Sequence, residues 1–342
     1  MKKLPKSDTP EIFGDAIKYF FNEYLLKLKE FSINTQKSYR DTFALLIRFL
    51  ISQHYSISDL SLSDITPDII SDFLDYLTTV RKNKAVTRNI RLAAIHSFFK
   101  YVAGRYPNHF DICQKVISIP FSRAMEREIE YLEVNEIEGI LNSINRTHAL
   151  GRRDYALLTL MYNTGARVQE VLNVRPCDLK LSKFSSVKII GKGNKERICT
   201  LWNSTALLLK NLIEENNLEK NSTNYIFVNC RSEQLSRFGV RYILNKYYEL
   251  ASKVIPSLRS KKVHPHIFRH STAMHMIQSK ASIVDVGHVL GHASITTTSL
   301  YIKADLESKR KALEKIEKPS SGMKSELFRK DDDELIKWLE KL

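Results

Sequence analysis

Between residues 11 and 105 the apolar positions recur three and four apart, the spacing of helices that bury one face. Ile12 to Leu28 predicts a first helix. After a break at Ser32-Ile33-Asn34, Thr35 is placed to cap a second, with Tyr39, Phe43, Leu46, Phe49 and Leu50 on its buried side. Thr66-Pro67-Asp68 opens a third, running through Leu77: a capping hydroxyl, proline at the first helical position, then acid in the first turn. Val86 to Val102 predicts a fourth that ends at Gly104.

The stretch 106–127 loses this periodicity and carries Pro107 and Pro120, so it reads as a linker. A second, largely helical domain over 128–318 starts at Tyr131-Leu132-Glu133. Its clear β element lies between Ser186 and Leu201, where two strand-like runs, 187–190 and 197–200, flank the turn residues Gly191-Lys192-Gly193-Asn194. A short strand is also expected at 225–228. An apolar helix from Asp154 to Asn163 stops at Thr164-Gly165, and Val284 to Leu290 is closed by Gly291. A tail, 1–10, precedes the first domain, and another, 319–342, ends in an amphipathic run with Leu335, Leu339 and Leu342 at helical spacing. The fold class is mainly α, two-domain, with a small β-sheet in the second domain.

Charge sharpens this picture. The 342 residues hold 53 Lys and Arg against 38 Asp and Glu, a net +15. Residues 1–120 contribute 17 basic against 12 acidic groups and residues 121–342 contribute 36 against 26, so the excess is no detachable tail. Positive charge spread in this way suits a protein lying along a phosphate backbone. In the helical bundle, Lys37, Arg40 and Arg48 fall along one helix and Arg88, Arg91, His96 and Lys100 along another; each set can grip phosphates or enter a major groove, and each is equally a solvated helix face. Cys113, Cys177, Cys199 and Cys230 form no C-x-x-C pair, which fits a reducing cytoplasm. No apolar run of about 18 residues suggests a membrane span.

The candidate chemistry lies in the second domain. Arg167 and Glu170 are three apart, so the carboxylate can orient the guanidinium. His266 and Arg269 repeat that spacing, His292 follows Gly291, and Tyr301 lies one to two turns into the next predicted helix, capped by Ser294. Each piece alone has an ordinary reading: a surface ion pair, structural histidines, a hairpin turn, one core tyrosine among 15. His264, His266 and His270 resemble a metal site but have no carboxylate or cysteine at ligand spacing beside them. No G-x-x-x-x-G-K-[ST] run occurs, so nucleotide hydrolysis is unsupported. Together the pieces suit phosphodiester chemistry. Two arginines can hold the non-bridging oxygens and offset the charge of a pentacoordinate transition state. A tyrosine can attack if a histidine takes its proton, and a lysine on a hairpin tip can protonate the departing 5′ oxygen.

Thr164-Gly165-Ala166-Arg167, Gly191-Lys192-Gly193-Asn194-Lys195-Glu196-Arg197, His266-x-x-Arg269, Leu290-Gly291-His292 and Tyr301 stand in the order found in tyrosine recombinases. The 23 residues from Arg269 to His292 and nine from His292 to Tyr301 resemble the Xer recombinases in particular. The helical segment 11–105 looks like their core-binding domain, so the resemblance implies a two-domain DNA clamp. It assigns Arg167, Arg269 and His292 to transition-state binding, Lys192 as general acid, His266 as general base or hydrogen-bond partner, and Tyr301 as nucleophile. Glu170 stands where the family has a supporting acid. Lys37, Arg40, Arg88, Arg91, Lys195 and Arg197 are expected to contact DNA.

The reaction implied is formation of a 3′-phosphotyrosine and a free 5′-hydroxyl, then rejoining, with no metal, cofactor or ATP. The expected partners are double-stranded DNA recombination sites, further copies of the chain in a tetramer on DNA, and an accessory or directionality protein. Only about ten residues precede the first helix, too few for the arm-binding domain of many phage-type integrases, which favours an Xer-like or transposon-type enzyme. The run containing Leu335, Trp338, Leu339 and Leu342 is expected to dock into a neighbouring subunit. The competing readings are a type IB topoisomerase with the same chemistry on one strand, a DNA-binding regulator that has lost catalysis, and a metal-dependent nuclease using the histidines.

Overall fold

The computed structural model describes residues 12–28, 31–124, 129–191, 193–219, 222–291, 298 and 301. The chain divides into two compact units, Met1–Glu126 and Arg127–Leu342.

The first unit is helical. Helix α1 (Phe13–Tyr19) runs on into a π-helical segment, Phe20–Leu28, in place of one regular helix over 12–28. The wider turn brings Phe20 against Phe43 and Phe98 at ring-centroid distances of 6.1 and 5.3 Å. Helix α2 (Ile33–Ser52) starts three residues earlier than expected, because the Ser32 hydroxyl, not Thr35, is the cap and accepts from the Thr35 N–H at 3.3 Å. Helix α3 (Pro67–Thr79) is capped by Thr66 as its residues predict. Helix α4 (Ala85–Arg105) passes through Gly104 without stopping; nothing lies within 4 Å of where a Cβ would stand there. Leu46, Leu50, Phe73, Leu77, Ile95 and Phe98 meet in the shared core.

The stretch read as a linker is structured at its start. Pro107–His109 forms a single 3-10 turn and Phe110–Ile117 the helix α5. Cys113 and Val116 of α5 are fully buried in the first unit's core. The prolines that suggested a linker instead open this segment and follow its end, positions where a missing N–H costs little.

The second unit packs helices α6 (Val134–Asn142), α7 (Ala149–Thr164), α8 (Val168–Leu172), α9 (Asn203–Glu215), α10 (Arg237–Ser252), α11 (Pro265–Gln278) and α12 (Ile283–Leu290) with one sheet. The sheet has three antiparallel strands in sequence order: β1 (Leu179–Lys180), β2 (Ser186–Ile190) and β3 (Glu196–Thr200). In β2 and β3 the pairs Val187↔Cys199 and Ile189↔Arg197 face inward, leaving Ile198 76% exposed. The strand expected at 225–228 is a single bridge, Val228↔Gln234. Leu157, Leu160, Val171, Ile189, Leu244 and Phe268 fill the main core.

Candidate active site

Two glycines set the frame. Helix α7 ends on Gly165, whose φ of +56° is a left-handed conformation that side chains disfavour. A Cβ there would stand 2.5 Å from Leu290 and 3.3 Å from Thr272, so glycine also lets α7 end hard against α11 and α12. Gly291 closes α12 in the same way, at φ +65°, and a Cβ on it would meet the Arg197 guanidinium at 2.8 Å. Two helix ends therefore meet against α11 where only glycine leaves room.

Arg167 stands at the N-cap of α8 and Glu170 in its first turn. Glu170 accepts from the Arg167 backbone N–H at 3.0 Å and from Arg167 Nη1 at 2.8 Å. It also accepts from Arg197 Nη2 at 2.7 Å. Burial pushes the Glu170 carboxyl upward, but the bonds from Arg197 and Arg167 outweigh it and hold the group below its usual range. It is thus an ionised, buried anchor under two guanidiniums. Arg167 keeps its outer edge in solvent, with its side chain 40% exposed, while Glu170 is only 7% exposed.

Arg197 corrects an expectation. Placed among DNA contacts by its position beside the hairpin, it points inward: Nη2 binds Glu170 and Nε donates to the Val289 carbonyl at 3.0 Å. The strand alternation that buries Cys199 buries Arg197 with it. Its side chain joins β3, α8 and the end of α12.

Helix α11 presents His266, Arg269 and His270 three and four residues apart. Arg269 is 5% exposed, and its Nη1 donates to the Gly165 carbonyl at 2.8 Å. Its Nη2 is buried and has no hydrogen-bond partner among the described residues. Burial and the Arg167 charge pull the guanidinium down to about 10, so it stays protonated at neutral pH. A buried cationic donor without a partner is costly in a folded protein, and an anionic oxygen is the natural partner for it. His266 is held below its usual value by burial, with His264, Arg269 and Arg167 acting in the same direction.

Tyr301 is 3% exposed, its ring packed with Ala273, Met274, Val286 and Leu290. Its hydroxyl lies 2.8 Å from His270 Nδ1. Burial raises the phenol above its usual range, and the Arg269 and Arg167 charges oppose that rise, so the hydroxyl stands within the field of both arginines. The structure thus brings together Arg167, Glu170, His266, Arg269 and Tyr301. It adds two residues that sequence reasoning did not assign to the site: Arg197 and His270. His270 was visible only as part of a histidine cluster, and its spacing from Arg269 carried no sign of a partner 31 residues away. Lys192 and His292 lie outside the described residues, as do 319–342. Among the described residues no group of three or more His, Cys, Asp or Glu side chains is arranged to hold a metal ion.

The basic residues of the first unit divide. Lys37 and Arg40 are exposed on α2, and Arg40 pairs with the adjacent Asp41. Arg91 instead ties α4 to α2, donating to the Ser38 carbonyl at 3.1 Å and to Thr42 Oγ1 at 3.0 Å. Arg88 is half-buried. His96 does not join a basic surface at all; it is 8% exposed and packs edge-on against Phe121. In the second unit Lys195 faces solvent on the hairpin, while its carbonyl accepts from the Gly191 N–H at 2.8 Å.

Arginines anchored by a buried carboxylate and a carbonyl beside a buried tyrosine, on a helical scaffold with one small sheet, define the class of tyrosine-dependent DNA strand transferases. The chain belongs to the phage integrase family: residues 130–308 match the phage integrase family and residues 13–103 the phage integrase SAM-like domain. It is 36% identical over 315 residues to a Sinorhizobium fredii protein that bears the name integrase/recombinase y4rC, covering 92% of this chain and 94% of that one. It is 30% identical over 318 residues to the tyrosine recombinase XerC of Oceanobacillus iheyensis, covering 89% and 97%. The XerH site-specific recombinase, solved bound to its palindromic difH substrate after cleavage, shares the fold at a TM-score of 0.65 and 22% identity, over 81% of this chain and 80% of that one. No described helix is long and apolar enough to cross a membrane.

Proposed function

We propose that this chain is a site-specific DNA recombinase in which Tyr301 attacks a phosphodiester held by Arg167, Arg269 and His292. The Tyr301 oxygen forms a bond to phosphorus as the bond to the 5′ oxygen breaks. The phenolic proton passes to His266, and Lys192 protonates the departing 5′ oxygen. A 3′-phosphotyrosine and a free 5′-hydroxyl result, and attack by a partner strand's 5′-hydroxyl reverses the step and releases Tyr301. Bond energy stays in the covalent intermediate throughout. Glu170 positions Arg167 and takes no part in the bond changes.

The observation that carries this reading is the buried, unpartnered Nη2 of Arg269, whose charge acts on the Tyr301 hydroxyl. A guanidinium fixed by Gly165 at one nitrogen has its other free to bind a non-bridging oxygen, and no binding-only role needs a tyrosine buried beside it. The proposed substrate is double-stranded DNA bearing recombination sites, bound with the help of Lys37, Arg40, Arg88 and Lys195. The proposed assembly is a tetramer on DNA, with the 331–342 run docking between subunits and an accessory protein setting direction. A cytoplasmic setting suits this chemistry.

The test uses two plasmid-borne copies of a site selected from a randomised duplex library by the protein's own binding. Strand exchange between copies, lost in Tyr301→Phe, is the expected result. Relaxation of supercoils without exchange would assign the same chemistry to a topoisomerase instead, and binding without either would leave a regulator.

A further inference from the structure

Tyr301 is aimed by a group that the proposed reaction does not yet use. Helix α11 carries Arg269 and His270 side by side in one turn, Arg269 toward the Gly165 carbonyl and His270 toward the Tyr301 hydroxyl. The imidazole and phenol rings lie 5.7 Å apart between centroids, with their planes inclined at 50°. One turn of one helix therefore sets both the cation proposed to bind phosphate and the contact to the attacking oxygen. We infer that His270 is the hydrogen-bond acceptor that orients the Tyr301 hydroxyl for attack, an inference that rests on the reading of Tyr301 as nucleophile.

The charge states of the two groups are compatible with that direction. Burial, reinforced by His264, His266 and Arg269, drives the His270 imidazole down to about 4, so it is neutral at ordinary pH. The phenol is held above its usual range and keeps its proton. With both groups neutral, the inferred bond has Tyr301 donating and Nδ1 accepting, the tautomer that carries the imidazole proton on Nε2. So weak a base does not remove the phenolic proton itself; it holds the hydroxyl in the resting site, and the O–H turns from Nδ1 toward His266 when the proton leaves. The apolar wall of Ala273, Met274, Val286 and Leu290 grips the ring, and His270 supplies a polar contact at its tip. His270 acts on the reaction through Tyr301, as a positioning residue.

An asparagine separates this role from packing, because its Oδ1 sits where His Nδ1 does relative to Cβ. The experiment measures single-turnover formation of the covalent adduct on a nicked duplex carrying the selected site, at saturating protein, with the dissociation constant measured in parallel. His270→Leu is expected to slow cleavage at least about ten-fold with unchanged DNA affinity. His270→Asn is expected to recover most of that rate. Should His270→Leu lose DNA binding through misfolding, His270→Ser against His270→Asn gives the same comparison. Equal rates in the leucine and wild-type proteins, equal losses in leucine and asparagine, or faster cleavage in leucine would each overturn the inference, the last by making His270 a restraint on Tyr301. Tyr301→Phe is run alongside. An adduct that survives it refutes the nucleophile assignment itself, a failure distinct from any pattern among the His270 variants.

Discussion

The two units hold their arginines in opposite ways. In the second, Arg167, Arg197 and Arg269 are each fixed by a carboxylate or a carbonyl, two of them almost wholly buried. In the first, Lys37 and Arg40 stand in solvent, and Arg91 is tied to helix backbone in the interior. Fixed cations can stabilise charge at one point without reorganising, which is what a transition state demands. Solvated cations can follow a phosphate backbone of any sequence, which is what binding demands. Arg91 belongs to neither set, since its work is to join α2 to α4.

This contrast predicts graded effects. The largest falls on Arg269. Replacing it with Lys keeps the charge but loses the planar fork that binds Gly165 with one nitrogen and leaves another free. Adduct formation should fall by about 100-fold or more with little change in DNA affinity; parallel losses of both would place Arg269 among the binding cations.

Glu170→Gln comes next. It leaves Arg197 buried with a weaker partner, and urea unfolding at pH 7 should show a loss of about 3 kcal/mol. Because the folded carboxyl is held below its unfolded value of 4.5, its contribution is fully present above that pH. It is lost as pH falls through the lower folded value, so the gap between wild type and variant should close in acid. A gap that stays constant would mean that the variant acts through packing and not through charge.

Arg91→Ala should lower stability by about 1 kcal/mol, through the lost bonds to Ser38 and Thr42. Arg40→Ala should have the smallest effect. It should leave the melting temperature unchanged and reduce the slope of log affinity against log salt by about 0.9. An Arg40 variant that changes cleavage at saturating DNA would erase the distinction between the two units.

Much of this division was legible in the sequence, for local reasons. Thr66, Gly165 and Gly291 mark helix ends because their roles depend on backbone conformation within a few residues. Arg167 with Glu170, and His266 with Arg269, are readable because three residues on a helix start is a fixed geometry. Arg197 was misplaced because strand parity decides its direction, and the exposed Ile198 beside it runs against the hydrophobic pattern. His96 and Arg91 share helical spacing with exposed basic residues, and only tertiary packing turns them inward. Residues 110–117 were missed because the flanking prolines suggested a break. His270 required a contact across 31 residues of chain, which no local pattern encodes.

The proposed reaction joins Tyr301 to DNA through the site built by α8, α11 and the end of α12. The direct measurement is to trap the adduct on a nicked duplex, digest the protein and locate the nucleotide-bearing peptide by tandem mass spectrometry. A 3′-phosphonucleotide on the hydroxyl of Tyr301 is the expected result. A modified tyrosine, serine or histidine at any other position would contradict it.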